Sequence, residues 1–587
     1  NRPQNITSED LENHYTRSIG QTEVIKRDPQ QIIVNEPSFD IAYYPAERGM
    51  YNYNPELNSD GFLPEPEKNY GAIVRAITNE VDFDKTNIEY IEFWMMDPFI
   101  NSTNNTPQNP RGLINDGINP PKANTTGGKM FINLGSISED IMKDERHAFE
   151  QGLPADGSND SDDVILNEWG RVTNQPYLNP AFDNSEGARA NQDVGLDGLR
   201  SEEERDFFSS YLSSVNVNPE VRQRLENDPS GDNFEYYLSD ELDAADVKIL
   251  ARYKQFNGME GNSPLNSGDQ NFTASNSNLP DNEDLNRDNT LADVEEYYEY
   301  EIDVRPGQFQ VGRNNIVDKV TNEVNGDQVS WYLFRIPVRK PDRVQGNING
   351  FKSIRYIRTY LTEFQDPVVL RFVNFRMVGS QWRTFQESLY EKGLFEIPEP
   401  SDPNFTVGVV NIEDNSQPAD GRPPYVLPPG IRRDRDNTSA IERRRNEQSL
   451  QLFVDGLRDR DARAVFKNVN MDMVNYGRIQ MFLHADSPDD IQPGEVTAFL
   501  RLGTDFTENY YEIEVPLTMT QPGEISPETI WPETNEIDIA FSDLYEVKAE
   551  RNRQNANLSL PYTAPVGKYN VTVVGRPDMS TVQTLMI

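Results

Sequence analysis

IEYIEFWMMD (residues 88–97), answered after a loop by MFINLG (130–135), decides how this chain is read. Both runs are short, apolar, and rich in aromatic and β-branched residues. Such side chains pack well on a pleated surface, so the runs read as strands. The arrangement recurs at 354–364 (IRYIRTYLTEF) with 368–378 (VVLRFVNFRMV), and at 478–485 (RIQMFLHA) with 496–503 (VTAFLRLG). Three strand–loop–strand blocks predict a mainly β chain. They imply three β-sandwich modules of jelly-roll or galactose-binding type, an architecture suited to binding or scaffolding.

Working outward from the blocks gives five segments. Residues 1–135 form a first sandwich with an N-terminal extension, which carries β-like runs at 23–25 and 31–34. Residues 136–290 change texture and read as a helical, acidic-loop insertion. Residues 291–400 form the second sandwich, 401–448 a Pro/Asp/Gly-rich linker, and 449–587 a third sandwich cut short at its C-terminus. The third opens near Ser449 and alternates apolar Tyr511, Ile513, Val515 and Leu517 with Glu512 and Glu514, the period of a half-buried strand. Ile537, Ile539 and Phe541 alternate in the same way.

Within the insertion, residues 136–149 suggest a short helix. Ser201 and Glu204 have the spacing of a capping box ahead of Phe207, Phe208, Tyr211 and Leu212. Asn218-Pro219 supplies an N-cap and first turn, and Leu242, Ala245, Ile249 and Tyr253 predict a helix over 240–256.

The chain has 587 residues, too long for one core. Its mean hydropathy of -0.73 is low, yet 26 Tyr and 28 Phe are too many for a disordered chain. A net charge of -42 repels phosphate, so nucleic acid is a poor partner, whereas divalent cations are attracted. There are no cysteines, which excludes disulfides, thiolate zinc sites and cysteine nucleophiles. The three histidines, His14, His147 and His484, stand far apart and in no zinc-ligand pattern.

The sharpest chemical motif is DLNRDNTLADVE (284–295). Read as a calcium loop, Asp284, Asn286 and Asp288 take positions 1, 3 and 5. Thr290 takes position 7 through its carbonyl, and Glu295 is the bidentate position 12. Asn289 replaces the usual glycine at position 6 and tolerates the left-handed conformation. Ala292, at position 9, needs a water. The competing reading is a solvated turn without an ion. Weaker cation candidates are Asp156, Ser158, Asp160 and Asp162, and the pair Asp193 and Asp197 with Glu204.

No catalytic constellation is legible. A nucleophile elbow with a supporting histidine is missing, and the Gly-Gly-Lys at 127–129 lacks the phosphate-loop glycine because Ala123 stands there. Sugar stacking is open to Trp94, Trp169, Trp331, Trp382 and Trp531, of which Trp94 and Trp331 fall inside strands and read as core.

The blocks at 42–55 (AYYPAERGMYNYNP), 91–99 (IEFWMMDPF), 132–141 (INLGSISEDI), 192–199 (QDVGLDGL), 283–291 (EDLNRDNTL) and 531–539 (WPETNEIDI), with the closing VVGRPDMSTVQTLMI, resemble the SprA/Sov family. These are outer-membrane translocons of the type IX secretion system in the Bacteroidetes, linked to gliding motility. The resemblance implies an internal segment of a far longer barrel-forming chain. It implies a place at the cell outer membrane, on the extracellular face as part of a cap, with the periplasm as the alternative. Its implied partners are the remainder of its own barrel chain, a PorV-type subunit, a periplasmic plug, and folded secreted cargo. The family offers no catalytic residues, so the expected function is non-enzymatic. A surface carbohydrate-binding protein built from similar sandwiches is the runner-up.

Overall fold

The computed structural model describes residues 2–24, 35–100, 102, 105–106, 110–159, 162–175, 179–263, 279–379, 381–385, 389, 404–412, 415–416, 422–433, 435–436, 443–444, 446–458 and 461–587. As the apolar runs predict, it is mainly β, 32% strand against 13% helix. The chain divides into two compact units. One holds Asn1–Gly20, Asn35–Lys85 and Tyr90–Met377; the other holds Gln21–Val34, Thr86–Glu89 and Val378–Ile587.

Ten strands of the first unit make two five-stranded sheets. They are β1 (Ser38–Tyr43), β2 (Tyr70–Ala76), β3 (Ile88–Met96), β4 (Gly128–Ser136), β5 (Glu296–Val304), β6 (Ile316–Val324), β7 (Asp327–Pro337), β8 (Arg343–Gln345), β9 (Tyr356–Thr362) and β10 (Val368–Gly379). The orders are β6-β7-β3-β10-β1 and β8-β5-β4-β9-β2. Each sheet takes strands from both 1–135 and 291–400, so the expected first and second modules are one interleaved, sandwich-like body. The physical reason lies in β3 and β4. Phe93, Trp94, Met95 and Met96 are buried on both faces of their strand, and in β4 Met130, Ile132 and Leu134 are buried on one face and Phe131 and Asn133 on the other. Strands of that kind belong in the middle of a sheet. Their flanking partners come from the later segment: β7 and β10 beside β3, β5 and β9 beside β4. The first two sequence blocks are therefore neighbours in space, with Leu134 opposite Ile357 and Ile132 opposite Thr359.

The two faces of the first sheet carry different chemistry across the same three strands. Phe93 stacks on Phe334 at 5.2 Å and on Phe375 at 5.0 Å. One residue earlier, Glu92 lies between Arg335 (2.8 Å) and Arg376 (2.5 Å). Burial pushes the Glu92 carboxyl up, but the two guanidiniums outweigh it and hold the group below the usual carboxylate range. The β6–β7 hairpin turns at Asn325-Gly326, with φ of 53° and 84°, the two-residue turn that matches strand twist. Residues near the N-terminus strap this sheet: Tyr15 donates to the Pro98 carbonyl (2.9 Å), His14 meets Asp327 (3.0 Å), and Arg371 donates to the His14 carbonyl (2.8 Å).

The described residues of the insertion keep little regular structure. Residues 136–149 hold no α-helix; Lys143 and Glu145 have φ of 55° and 58°, which breaks one. The expected helix over 240–256 is two short ones, Asp240–Ala244 and Ile249–Arg252, parted where Asp246 turns left-handed (φ 53°). Pro219–Asn227 begins as expected, with Asn218 Oδ1 accepting from Val221 N–H (2.9 Å). Its Val221 and Leu225 pack with Leu212, Val215, Leu57 and Leu63, so part of the stretch before β2 belongs to the helical region. At the N-terminus, Gln21–Val24 is helical rather than a strand, and the run at 31–34 lies outside the described residues.

In the second unit a seven-stranded sheet runs in the order Arg383–Thr384, Val465–Met471, Val582–Met586, Thr497–Gly503, Tyr510–Pro516, Tyr569–Val574 and Tyr562–Val566. One face carries Leu502, Ile513, Val571 and Val573. A helix, Phe541–Arg553, covers them with Phe541, Leu544 and Val547. A two-stranded ribbon, Arg478–Met481 with Ile537–Ala540, joins the same core. The expected third module is thus a sheet capped by a helix and a ribbon, and Phe541 opens that helix instead of continuing the strand. The expected linker also contributes structure: Asn404–Asn411 pairs with Gln448–Asp455.

Interleaving has a direct consequence. Residues 1–135 expressed alone lack the neighbours of β3 and β4 and are expected to show no cooperative unfolding by circular dichroism. Residues 1–379 are expected to unfold cooperatively. A sharp thermal transition in the short fragment would return the two-module reading.

Candidate functional site

In the irregular 136–290 region, buried carboxylates do the work that ladders do elsewhere. Glu150 accepts Val194 and Gly195 N–H through Oε1 (2.9 and 2.8 Å) and Asp281 N–H through Oε2 (2.7 Å). Glu283 accepts from Ile141 (2.8 Å), Met142 (3.3 Å) and Ala148 (2.9 Å). Glu139 accepts from Leu285, Asn286 and Ala292. Burial pushes the Glu150 and Glu283 carboxyls up against the pull of these donors, and each bond satisfies a backbone N–H that no strand neighbour reaches.

Three further carboxylates converge on one point. Asp197 sits on the turn after Gly195, Glu204 on the helix Ser201–Phe207, and Asp232 on the turn DPSGD (228–232). All three are buried, and one oxygen from each lies within 4.8 Å of the others. Asp197 is anchored through both oxygens, Glu204 and Asp232 through one each. Asp197 accepts from Leu199 N–H (3.0 Å) and the Ser230 hydroxyl. Glu204 Oε2 accepts from Ser230 N–H (2.9 Å), and Asp232 Oδ2 from the Tyr51 hydroxyl (2.8 Å). The remaining oxygens, Glu204 Oε1 and Asp232 Oδ1, are sealed from solvent and have no hydrogen-bond partner among the described residues. Burial, then mutual repulsion, drives the Asp197 and Asp232 carboxyls well above their usual range, and burial lifts Glu204 to about 7. Gly195 (φ 73°) leaves room: a Cβ there would stand 2.2 Å from Asp232 Oδ2.

The sequence pointed to part of this centre. Asp197 and Glu204 are in it; Asp193 is not, and accepts from Ser263 N–H instead (3.2 and 3.0 Å). The capping box is shifted by one residue: Arg200 is the N-cap and Glu203 accepts its N–H (3.2 Å), which leaves Glu204 free to face inward. Asp232 and Tyr51 were missed. The turn-forming DPSGD was the one available signal for the first of them.

The 284–295 loop is ordered by its own side chains. Asp284 accepts from Asp288 and Asn289 N–H (3.1 and 2.8 Å), and Asp288 from Thr290 N–H (2.9 Å). Asn286 reaches the Tyr356 hydroxyl (2.7 Å). Asn289 is left-handed (φ 61°), as its place at position 6 requires. Glu295 is not gathered with the other four: its two oxygens pair with the Arg358 guanidinium (3.0 and 3.1 Å). Of the acidic loop at 156–162, Asp156 Oδ1 holds Ser158 N–H (3.0 Å), and Asp160 lies outside the described residues. Trp94, Trp331 and Trp531 are buried, and Trp169 packs beside Tyr53.

Fold and site together define a mainly β protein whose loop-rich region is built on buried carboxylates. The chain belongs to the SprA_N family, described as motility related/secretion protein, whose model matches residues 208–587, more than half of its length. No curated protein matches it. No helix among the described residues is long and apolar enough to cross a membrane.

Two outcomes test the carboxylate network. Glu150→Ala strands three backbone donors and is expected to cost about 3 kcal/mol or more, read by urea unfolding. Asp193 gives a pH test, because burial raises its carboxyl to about 7. The native state then holds a proton that the unfolded chain releases near about pH 4. Stability from this group is full below that value and is lost as pH rises through about 7. Asp193→Asn is expected to flatten the decline between about pH 4 and pH 7, by up to about 1.4 kcal/mol per pH unit. An unchanged slope would show that Asp193 is ionised throughout.

Proposed function

We propose that this chain is a non-catalytic segment, outside the membrane, of the outer-membrane translocon of the type IX secretion system. In this reading it shapes or gates the extracellular mouth of a pore through which folded cargo leaves. The observation that carries the reading is membership of a motility and secretion family across residues 208–587. Two features support it. Large interleaved cores give a rigid frame, and a net charge of -42 discourages adhesion of passing acidic polypeptide. The remainder of the barrel chain, a PorV-type subunit, a plug and the cargo are its proposed partners.

These 587 residues hold no cysteine, so placement can be tested in a full-length background freed of any other cysteine. Ile525→Cys and Tyr70→Cys put a thiol at positions 70% and 69% exposed. In the full-length protein, both are expected to react with a membrane-impermeant maleimide on intact cells. Labelling only after the outer membrane is permeabilised would place the segment in the periplasm. Removal of residues 208–587 from the full-length gene is expected to abolish secretion of cargo bearing the C-terminal signal. Undiminished secretion would sink the translocon reading.

A further inference from the structure

We propose that Asp197, Glu204 and Asp232 bind a divalent hard cation of the calcium class, at a centre separate from the 284–295 loop. The first argument is geometric. Calcium takes oxygen ligands at about 2.3–2.6 Å, so donors on opposite sides of the ion stand about 4.8 Å apart. The three carboxylates each offer one oxygen within 4.8 Å of the others. Turn, helix and turn deliver them from three separate places in the sequence.

The second argument is independent of clustering. Glu204 Oε1 and Asp232 Oδ1 are acceptors without donors, fully enclosed, on carboxylates whose other oxygens are already anchored. A buried carboxylate oxygen left in that state is costly, and more so beside two others. Among the described residues, the buried base that interacts with the triad is Arg171, beside Asp197, and its guanidinium is spent on the Gly198 and Gly157 carbonyls and on Asn159 Oδ1. The charged groups that act on Glu204 and Asp232 from around the triad are two more acids, Asp228 and Glu260. Arg48, the adjacent base, donates to the backbone carbonyls of Asn52, Asp228 and Pro229. The Tyr51 and Tyr53 hydroxyls face the carboxylates as neutral groups, their ionisation pushed far up by burial and then by the acids. A divalent ion satisfies both free oxygens at once and cancels most of the charge.

The ligand chemistry selects the ion class. The donors are carboxylate oxygens, with no imidazole or thiolate among them, which suits calcium or magnesium rather than zinc or copper. The irregular set drawn from two turns and a helix suits the looser coordination of calcium over the strict octahedron of magnesium.

The test uses the metal-stripped 587-residue chain. Calcium titrated into it is expected to release or absorb heat at a site that Asp232→Asn and Glu204→Gln each weaken by more than about tenfold. The Asp284→Ala/Glu295→Ala double variant is expected to keep that site. Calcium is also expected to raise the Tm of the wild type by a few degrees and to leave Asp232→Asn unmoved. Asp232→Asn relieves repulsion, so in chelator it is expected to unfold at or above the wild-type temperature. Should either carboxylate variant fail to fold, terbium decides in the double-variant background. Tyr51 lies against Asp232, so tyrosine-sensitised emission displaceable by calcium is expected there. Binding that survives both carboxylate variants, or that disappears with Asp284 and Glu295, would overturn the proposal. So would a chain indifferent to millimolar calcium, whose triad is then held by protons alone. None of these results bears on where the segment sits in the cell envelope, so failure here leaves the secretion reading intact.

Discussion

The buried carboxylate that accepts backbone N–H groups is the interaction on which the 136–290 region depends. This stretch has few ladders and short helices, yet its backbone donors are enclosed. An ionised carboxylate taken out of water costs several kcal/mol. Each charge-assisted bond returns about 1.5–3 kcal/mol. One such bond leaves a large deficit and three offset part of it; burial still pushes the Glu150 carboxyl well up and the Glu283 carboxyl to about 7. Glu150, Glu283 and Glu139 each collect three, from donors far away in the chain. The region is folded around buried carboxyl groups, much as a core is folded around apolar side chains.

The same accounting separates these three from Asp197, Glu204 and Asp232. The triad has too few donors for six oxygens, and its neighbours are acids. Its location shows what it ties together. Tyr51 reaches Asp232 across 181 residues and also accepts from Leu196 N–H (2.9 Å). Tyr53 meets Ser230 (2.8 Å) and stacks on Phe208 at 4.3 Å. Stretches before β2, after β4 and on either side of the helices meet at this point, so its charge state acts on the whole insertion.

How much of this was legible in the sequence follows from the range of the interactions involved. Period-two alternation is local, and Tyr511, Ile513 and Val515 face inward as it required. The Asn218 cap is local and was read correctly. Which strands become neighbours is not local. The runs at 88–97 and 368–378 look like members of separate blocks, and only the burial of β3 on both faces reveals that they need each other. The helix Phe541–Arg553 was hidden for a different reason. Ile537 and Ile539 set a strand rhythm that Phe541 continues, while the helical spacing of Phe541, Leu544, Val547 and Arg551 begins on that same residue. At the site, acidic residues are so common that composition conceals the few that are buried. Glu204 was assigned to a cap because its spacing from Ser201 fits one, and a one-residue shift turned it inward.

A chain without cysteine must hold its irregular parts by other means. Disulfides gain stability by closing long loops in the unfolded chain. Here the links that span long separations are polar: Tyr51 with Asp232, Arg371 with the His14 carbonyl across 357 residues, and His14 with Asp327 across 313. Each is weaker than a covalent bond, but each is buried, where an unpaired partner is expensive. That asymmetry lets modest interactions fix distant segments. It also makes the Tyr51–Asp232 link conditional, since burial and neighbouring acids push the Asp232 carboxyl well above its usual range, whereas a disulfide would stay closed. A segment built this way keeps rigid sheets and concentrates its sensitivity to surroundings in one carboxylate-rich insertion.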